Sequence, residues 1–233
     1  MFQRFALVAA LLFPVLGASA QETDNQNSAT KVEKPSRDFV MLQFTYEGWA
    51  NKLDSIKTTG FGRGFNGYLC YDFPIKNSNF SFATGIGVGI SNIFFDNQQL
   101  IQTDSGQTAA RFIPERHDYN KFKLVTTYLE APFELRFFSN KENRNKGFKM
   151  AVGLRAGTLV AAHTKGNRTE NGSKLSEKVS SRDFMERWRF GGTARIGYGN
   201  FSLFGAYNFN SVFKDNLGPA VTPYSIGLCI TGL

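Results

Sequence analysis

Two groups of residues in this chain have types and spacing suited to chemistry. The first is a set of charges that recurs at alternate positions: Glu47, Glu130, Glu134, Arg136, Arg155, Arg187, Arg189 and Arg195. Carboxylates and guanidiniums on one face of strand-like segments form either an ion or proton path or a mutually paired network, because charges withdrawn from water require partners. The second group, His163, Ser180, Ser181, Asp183 and Glu186, supplies the histidine, hydroxyl and carboxylate of acyl-transfer chemistry. No nucleophile-elbow pattern accompanies it, and polar residues are ordinary in an exposed loop. The expectation is therefore a non-enzyme with no catalytic residues. His117 and His163 are the two histidines; neither has metal-ligand spacing, so neither a metal site nor a cofactor is expected.

The charges sit in segments with a period of two. From Phe148, one phase reads Met150, Val152, Leu154, Ala156 and the other Lys149, Ala151, Gly153, Arg155. After a polar stretch, Trp188, Phe190, Ala194, Ile196 and Tyr198 alternate with Arg187, Arg189, Thr193 and Arg195. Successive strand side chains point to opposite faces, so each segment has an apolar and a charged surface. A membrane barrel turns the apolar face to lipid and keeps the charge inside.

Six further segments follow the same code, near residues 38–49, 61–73, 79–94, 122–138, 201–213 and 223–231. Their inward phases carry Glu47, Tyr68, Asp72, Glu130, Glu134, Arg136 and Asn208. Together the segments predict an all-β fold, an eight-stranded antiparallel up-and-down transmembrane barrel. Long and short connections largely alternate, as they do when short turns lie on the periplasmic side and long loops outside. The two longest connections, from Asn97 to Asn120 and from Thr164 to Asp183, read as irregular loops. Pro132 lacks an N–H and predicts a bulge or local break. A barrel of this size is filled by its own side chains, which favours the paired network over an ion path.

Arg4 precedes an apolar run from Phe5 to Gly17 that ends in Ala18-Ser19-Ala20. This is the pattern of a cleaved secretory signal peptide, residues 1–20, ahead of a polar periplasmic leader at 21–36 and the barrel at 37–233. No later apolar run reaches the ~20 residues that a spanning helix needs. The 23 Gly and 24 Phe suit a barrel with a crowded interior and aromatic girdles. The net charge of +8 is assigned to the interior and to loops meeting anionic lipid head groups; no basic stripe with stacking aromatics predicts nucleic-acid binding. Cys70 and Cys229 fall two strand spacings apart, about 9.6 Å, which predicts free thiols.

Tyr128-Leu129-Glu130-Ala131-Pro132-Phe133-Glu134-Leu135-Arg136-Phe137 resembles a strand common to the PorT-like small outer-membrane β-barrel proteins of the Bacteroidetes. Gly64-Phe65-Asn66-Gly67 and Pro223-Tyr224-Ser225-Ile226-Gly227-Leu228 are similar to other segments of that family. The resemblance implies an outer-membrane barrel, some members of which serve a protein-secretion system. The expected role is a structural or accessory component of the cell envelope or of a secretion complex, with long extracellular loops for recognition. Its partners would be outer-membrane lipid and lipopolysaccharide, and envelope or secretion-complex proteins. A surface ligand-binding or adhesion barrel, a loop-borne lipid-modifying enzyme and a soluble periplasmic lipocalin-like barrel are the alternatives.

Overall fold

A computed structural model describes residues 39–101, 109–115, 117, 119–140 and 143–232. The expected signal peptide and leader, and part of the connection after Asn97, lie outside the described residues. Among the described residues no helix is long and apolar enough to cross a membrane, so any crossing is made by strands. The strands are β1 (Val40–Ala50), β2 (Arg63–Pro74), β3 (Phe80–Phe95), β4 (Gln98–Ile101), β5 (Arg111–Pro114), β6 (Tyr119–Phe138), β7 (Phe148–Glu170), β8 (Ser173–Ser180), β9 (Trp188–Tyr198), β10 (Phe201–Asn208) and β11 (Thr222–Thr231).

Antiparallel pairing runs β6-β3-β2-β1-β11-β10-β9-β7, and β6 pairs with β7 to close the ring. Among the described residues eight strands make that ring, while β8 hangs on the outer part of β7 and β4 pairs only with β5. Closure leaves no unpaired sheet edge within the ring, which is the condition for placing strands in hydrocarbon.

The alternation in the sequence becomes two surfaces. Outward-facing Leu69, Ile86, Leu135, Val152, Leu154, Ile196, Leu203 and Leu228 are all exposed apolar residues. Aromatic side chains bound this belt. Tyr71, Phe73, Phe80, Phe148, Tyr198 and Phe201 lie at the end with short turns; Phe61, Trp188, Phe190, Tyr207 and Phe209 lie at the end with long connections. β9 spans 11 residues with an aromatic at each end, matching the roughly 9–11 residues of a tilted membrane strand. Inward glycines allow the tight curvature: a Cβ on Gly153 would strike the Phe133 carbonyl, and one on Gly227 the Phe44 carbonyl.

Three local features refine or correct the sequence reading. Of the two outcomes expected at Pro132 the local break is found and the bulge is not: Pro132 pairs with Arg155 in the β6–β7 ladder, where the register is regular from Tyr128 to Phe138. Its effect is a gap on the other side, since the β3–β6 ladder skips from Thr84↔Phe133 to Gly87↔Glu130 without losing register. The bulge sits instead at Val160, between the pairs Thr127↔Ala161 and Tyr128↔Leu159. Second, neither long connection is irregular throughout: the one after Asn97 carries the β4–β5 pair, and the one after Thr164 is a hairpin. β7 continues to Glu170, turns at Asn171-Gly172 with φ of 50° and 77°, and returns as β8, the geometry of a two-residue hairpin. Third, β10 stops at Asn208, five residues earlier than the alternation suggests. The Asn210 side chain replaces the lost ladder, donating to the Trp188 carbonyl (2.6 Å) and accepting from the Phe190 N–H (2.9 Å).

Val152 is 60 % exposed on the outward face, whereas a Cβ on outward Gly205 meets open space. Val152→Arg is expected to cost about 2–4 kcal/mol in a bilayer, and Gly205→Ala close to nothing. Folding titrations in vesicles check this, and equal midpoints for the two variants would contradict a lipid-facing Val152.

Candidate functional site: the barrel lumen and its rim

Inward positions on β1, β2, β3, β6, β7, β9, β10 and β11 converge on one axis, so residues far apart in sequence meet. Glu130 on β6 accepts from Arg189 on β9 and from the Tyr68 hydroxyl on β2 (2.5 Å). The Arg189 guanidinium also lies 4.1 Å from the centre of the Tyr128 ring. One layer toward the short turns, Glu134 accepts from Arg136 (2.7 Å) and Arg195 (3.2 Å). Arg136 also reaches Asp72 (2.9 Å), whose second oxygen accepts from Arg144 (2.5 Å). Arg144 comes from the β6–β7 turn, packs 4.8 Å from the Phe138 ring centre and closes that end of the lumen.

Two buried members of the set have no ion pair among the described residues. Glu47 accepts from three hydroxyls: Thr45, Ser225 (3.1 Å) and Ser91 (3.2 Å). Arg155 donates to the Asn208 side chain (2.9 Å). Hydrogen bonds of this kind lower the cost of burying a charge that lacks a counter-charge.

Glu47, Glu130, Glu134, Arg136, Arg155, Arg189 and Arg195 are therefore all buried in the lumen. Arg187 is not, and its assignment to the network is corrected. It is exposed just before β9 and faces a surface cleft with Arg182, Asp183 and Lys214. At that level the lumen is occupied by apolar side chains, which offer a guanidinium no partner. Asp72 and Arg144 join the network although the charge set read from the sequence lacks them. Asp72 stands in the inward phase of β2 and was read there as inward; Arg144 lies in a turn, where no periodicity marks it.

The outer half of the lumen is a hydrophobic core. Trp49, Ile93, Leu124 and Tyr128 from the strands pack with Ile56, Leu100, Met185, Val212, Phe213 and Val221 from the connections. Isolated bridges Thr58↔Phe95 and Met185↔Phe213 stitch these connections to one another and to the wall. Nearer the short turns, Met41, Tyr68, Cys70, Phe204 and Cys229 form a smaller layer, with both cysteines free.

The acyl-transfer candidates do not assemble. His163 is paired by backbone register with Ser180, but among the described residues no hydrogen bond joins its ring to a serine or carboxylate. Ser181 donates directly to Asp183 (3.0 Å) with no imidazole between them. Among the described residues no cluster of His, Cys, Asp and Glu has the makings of a metal site. At the rim, the Tyr119 hydroxyl donates to Glu177 (2.6 Å), tying β6 to the β7–β8 hairpin; burial and then Glu177 push this phenol up to about 12. Burial, followed by Lys178, Lys123 and Lys165, holds the His163 imidazole below its ordinary value.

A family model described as an outer membrane protein beta-barrel domain matches residues 19–214. No curated protein and no solved structure matches the chain.

Glu130→Ala leaves Arg189 buried without its counter-charge and is expected to cost about 3–5 kcal/mol, while Arg187→Gln on the exposed side stays within about 0.5 kcal/mol. Urea midpoints with gel heat-modifiability as the folded-state readout check both. For His163, the folded imidazole binds its proton less readily than the unfolded one. Its neutral form contributes stability above the ordinary histidine range, and this is lost as pH falls through the lowered folded value. In a His117→Gln background, NMR titration of the remaining imidazole should give a midpoint below that of the unfolded protein; an equal or higher midpoint would refute it.

Proposed function

The chain belongs to the outer membrane protein beta-barrel domain family, and from that premise we propose a non-enzymatic, sealed barrel serving as a structural or accessory component of the cell envelope or of a secretion complex. The observation that carries this reading is the filling of the lumen. Ion pairs of Glu130, Glu134 and Asp72 occupy one half and the apolar cluster around Trp49 and Phe213 the other. Side chains with these partners hold a wall rigid and leave little room for transport. The likeness to PorT-like proteins in the strand from Tyr128 to Phe137 supports the secretion branch of the proposal, with residues 1–20 as its cleaved export signal.

In this reading the long-connection end faces outward and does the recognising. A second reading, surface ligand binding or adhesion, is favoured by β8. Among the described residues it pairs only with β7, every one of its residues is exposed, and an open strand edge can accept a partner strand. Partners on either reading are envelope proteins or outer-membrane lipid.

Replacing residues 164–179 by a short turn removes the hairpin together with the five outermost β6–β7 pairs, Leu124↔Thr164 to Tyr119↔Arg168, and leaves the other ring pairings in place. The expected outcome is unchanged heat-modifiability, with loss of the proteins captured by cross-linked pull-down from outer membrane. Retention of every wild-type partner would move recognition elsewhere. Planar-bilayer recordings of wild type are expected to lack steady large conductance, and such conductance would overturn the sealed barrel.

A further inference from the structure

Just beyond the apolar belt, on the outward face of the sheet, four cations stand in a row across adjacent strands. Lys123 on β6 is the Cα partner of Lys165 on β7, and Lys165 is in turn the partner of Lys178 on β8. Asn92 on β3 extends the row: its side chain accepts from the Lys123 ammonium (2.7 Å) and donates to the Arg63 carbonyl (3.1 Å), and Arg63 is its own cross-strand partner. Like charges directly opposite one another destabilise a sheet. Here two such pairs are consecutive, and among the described residues no carboxylate lies within ion-pair distance of Arg63, Lys123, Lys165 or Lys178. Crowding is evident at Lys123, which burial and then Lys165 and Arg63 hold below the ordinary lysine range.

The position of the row narrows what would neutralise it. Arg63 is two residues from Phe65 in the belt, about 7 Å along the strand. The Lys123 ammonium lies 5.6 Å from the Phe94 ring centre, and aromatic side chains gather at membrane interfaces. Cations at this height meet lipid head groups. A phosphate fits better than a carboxylate, since it offers several charged acceptors to ammoniums held side by side.

We propose that Arg63, Lys123, Lys165 and Lys178 form a binding row for the phosphorylated headgroup of an anionic membrane lipid. The acyl chains of that lipid would lie against the apolar wall below. The proposal rests on the membrane placement of the belt and not on the envelope role proposed above, so its failure leaves that role untouched.

The test uses the full barrel with its loops in a zwitterionic detergent, titrated with short-chain phosphatidic acid and followed by native mass spectrometry. Lys123→Gln/Lys165→Gln/Lys178→Gln is expected to weaken retention by about tenfold or more, the size of losing charge-assisted contacts. Lys52→Gln/Lys57→Gln/Lys214→Gln, which removes the same charge from other loops, should change it by less than about twofold. Equal weakening in both variants would overturn the site, because it would reduce the effect to net charge. Displacement by inorganic phosphate as effectively as by phosphatidic acid would overturn the lipid assignment. Thermal unfolding in phosphatidylcholine vesicles provides a second readout. Without anionic lipid the row variant should unfold at or above the wild-type temperature, since repulsion has been removed, and added phosphatidic acid should stabilise wild type more. A row variant less stable in both vesicles would mean that these lysines hold the fold rather than a ligand.

Discussion

Closure of the sheet through the β6–β7 ladder governs most of what this molecule is. In hydrocarbon a strand edge has no water to satisfy its N–H and C=O groups, so the ring must return to its start. A ring this small forces every second side chain toward a common axis. The interior must then be filled, curved and neutralised at once. Glycine at inward positions such as Gly153 and Gly227 allows neighbouring backbones to approach where a Cβ would strike a carbonyl. Long charged side chains from other strands take up the remaining space.

The interior is divided into two layers of different chemistry. Toward the short turns, Glu130, Glu134 and Asp72 are each held by an arginine from another element, while Glu47 and Arg155 rely on neutral partners. Breaking one buried pair is costlier than the pair is worth, because it strands the surviving charge. Toward the long connections the lumen holds a hydrophobic core of the kind a soluble domain would have. The connections that supply Ile56, Leu100, Met185 and Phe213 are thereby part of the fold and not appendages to it.

Beyond the ring, β7 outlasts its partner β9 and takes β8 instead. The bulge at Val160 precedes this exchange and reverses which side chains face outward, so His163 and Lys165 stand on the outer surface. The hairpin is anchored by Tyr119 and Glu177 and carries Lys165 and Lys178 of the cationic row beside Lys123 on β6. An exposed strand edge and two of the four cations thus come from one hairpin that continues past the ring.

The sequence by itself determined the ring strands and their faces, because membrane burial acts on every second residue and writes its requirement locally. Placement in an outer membrane was legible on the same grounds, and the family match covers that part of the reading. The inward charges were legible as a set but not as pairs: nothing near Glu130 indicates Arg189, 59 residues away, or Tyr68, 62 residues away. Asn171-Gly172 was a local hairpin signal overlooked because polar, charged residues on both faces of β7 and β8 mask the strand period. Only the tertiary structure decided that Arg187 faces solvent, that apolar residues in the connections fold into the lumen, and that Lys123, Lys165 and Lys178 share one rung. Each depends on register, bulge position and closure, which bring distant segments side by side and leave no trace in the spacing of any one of them.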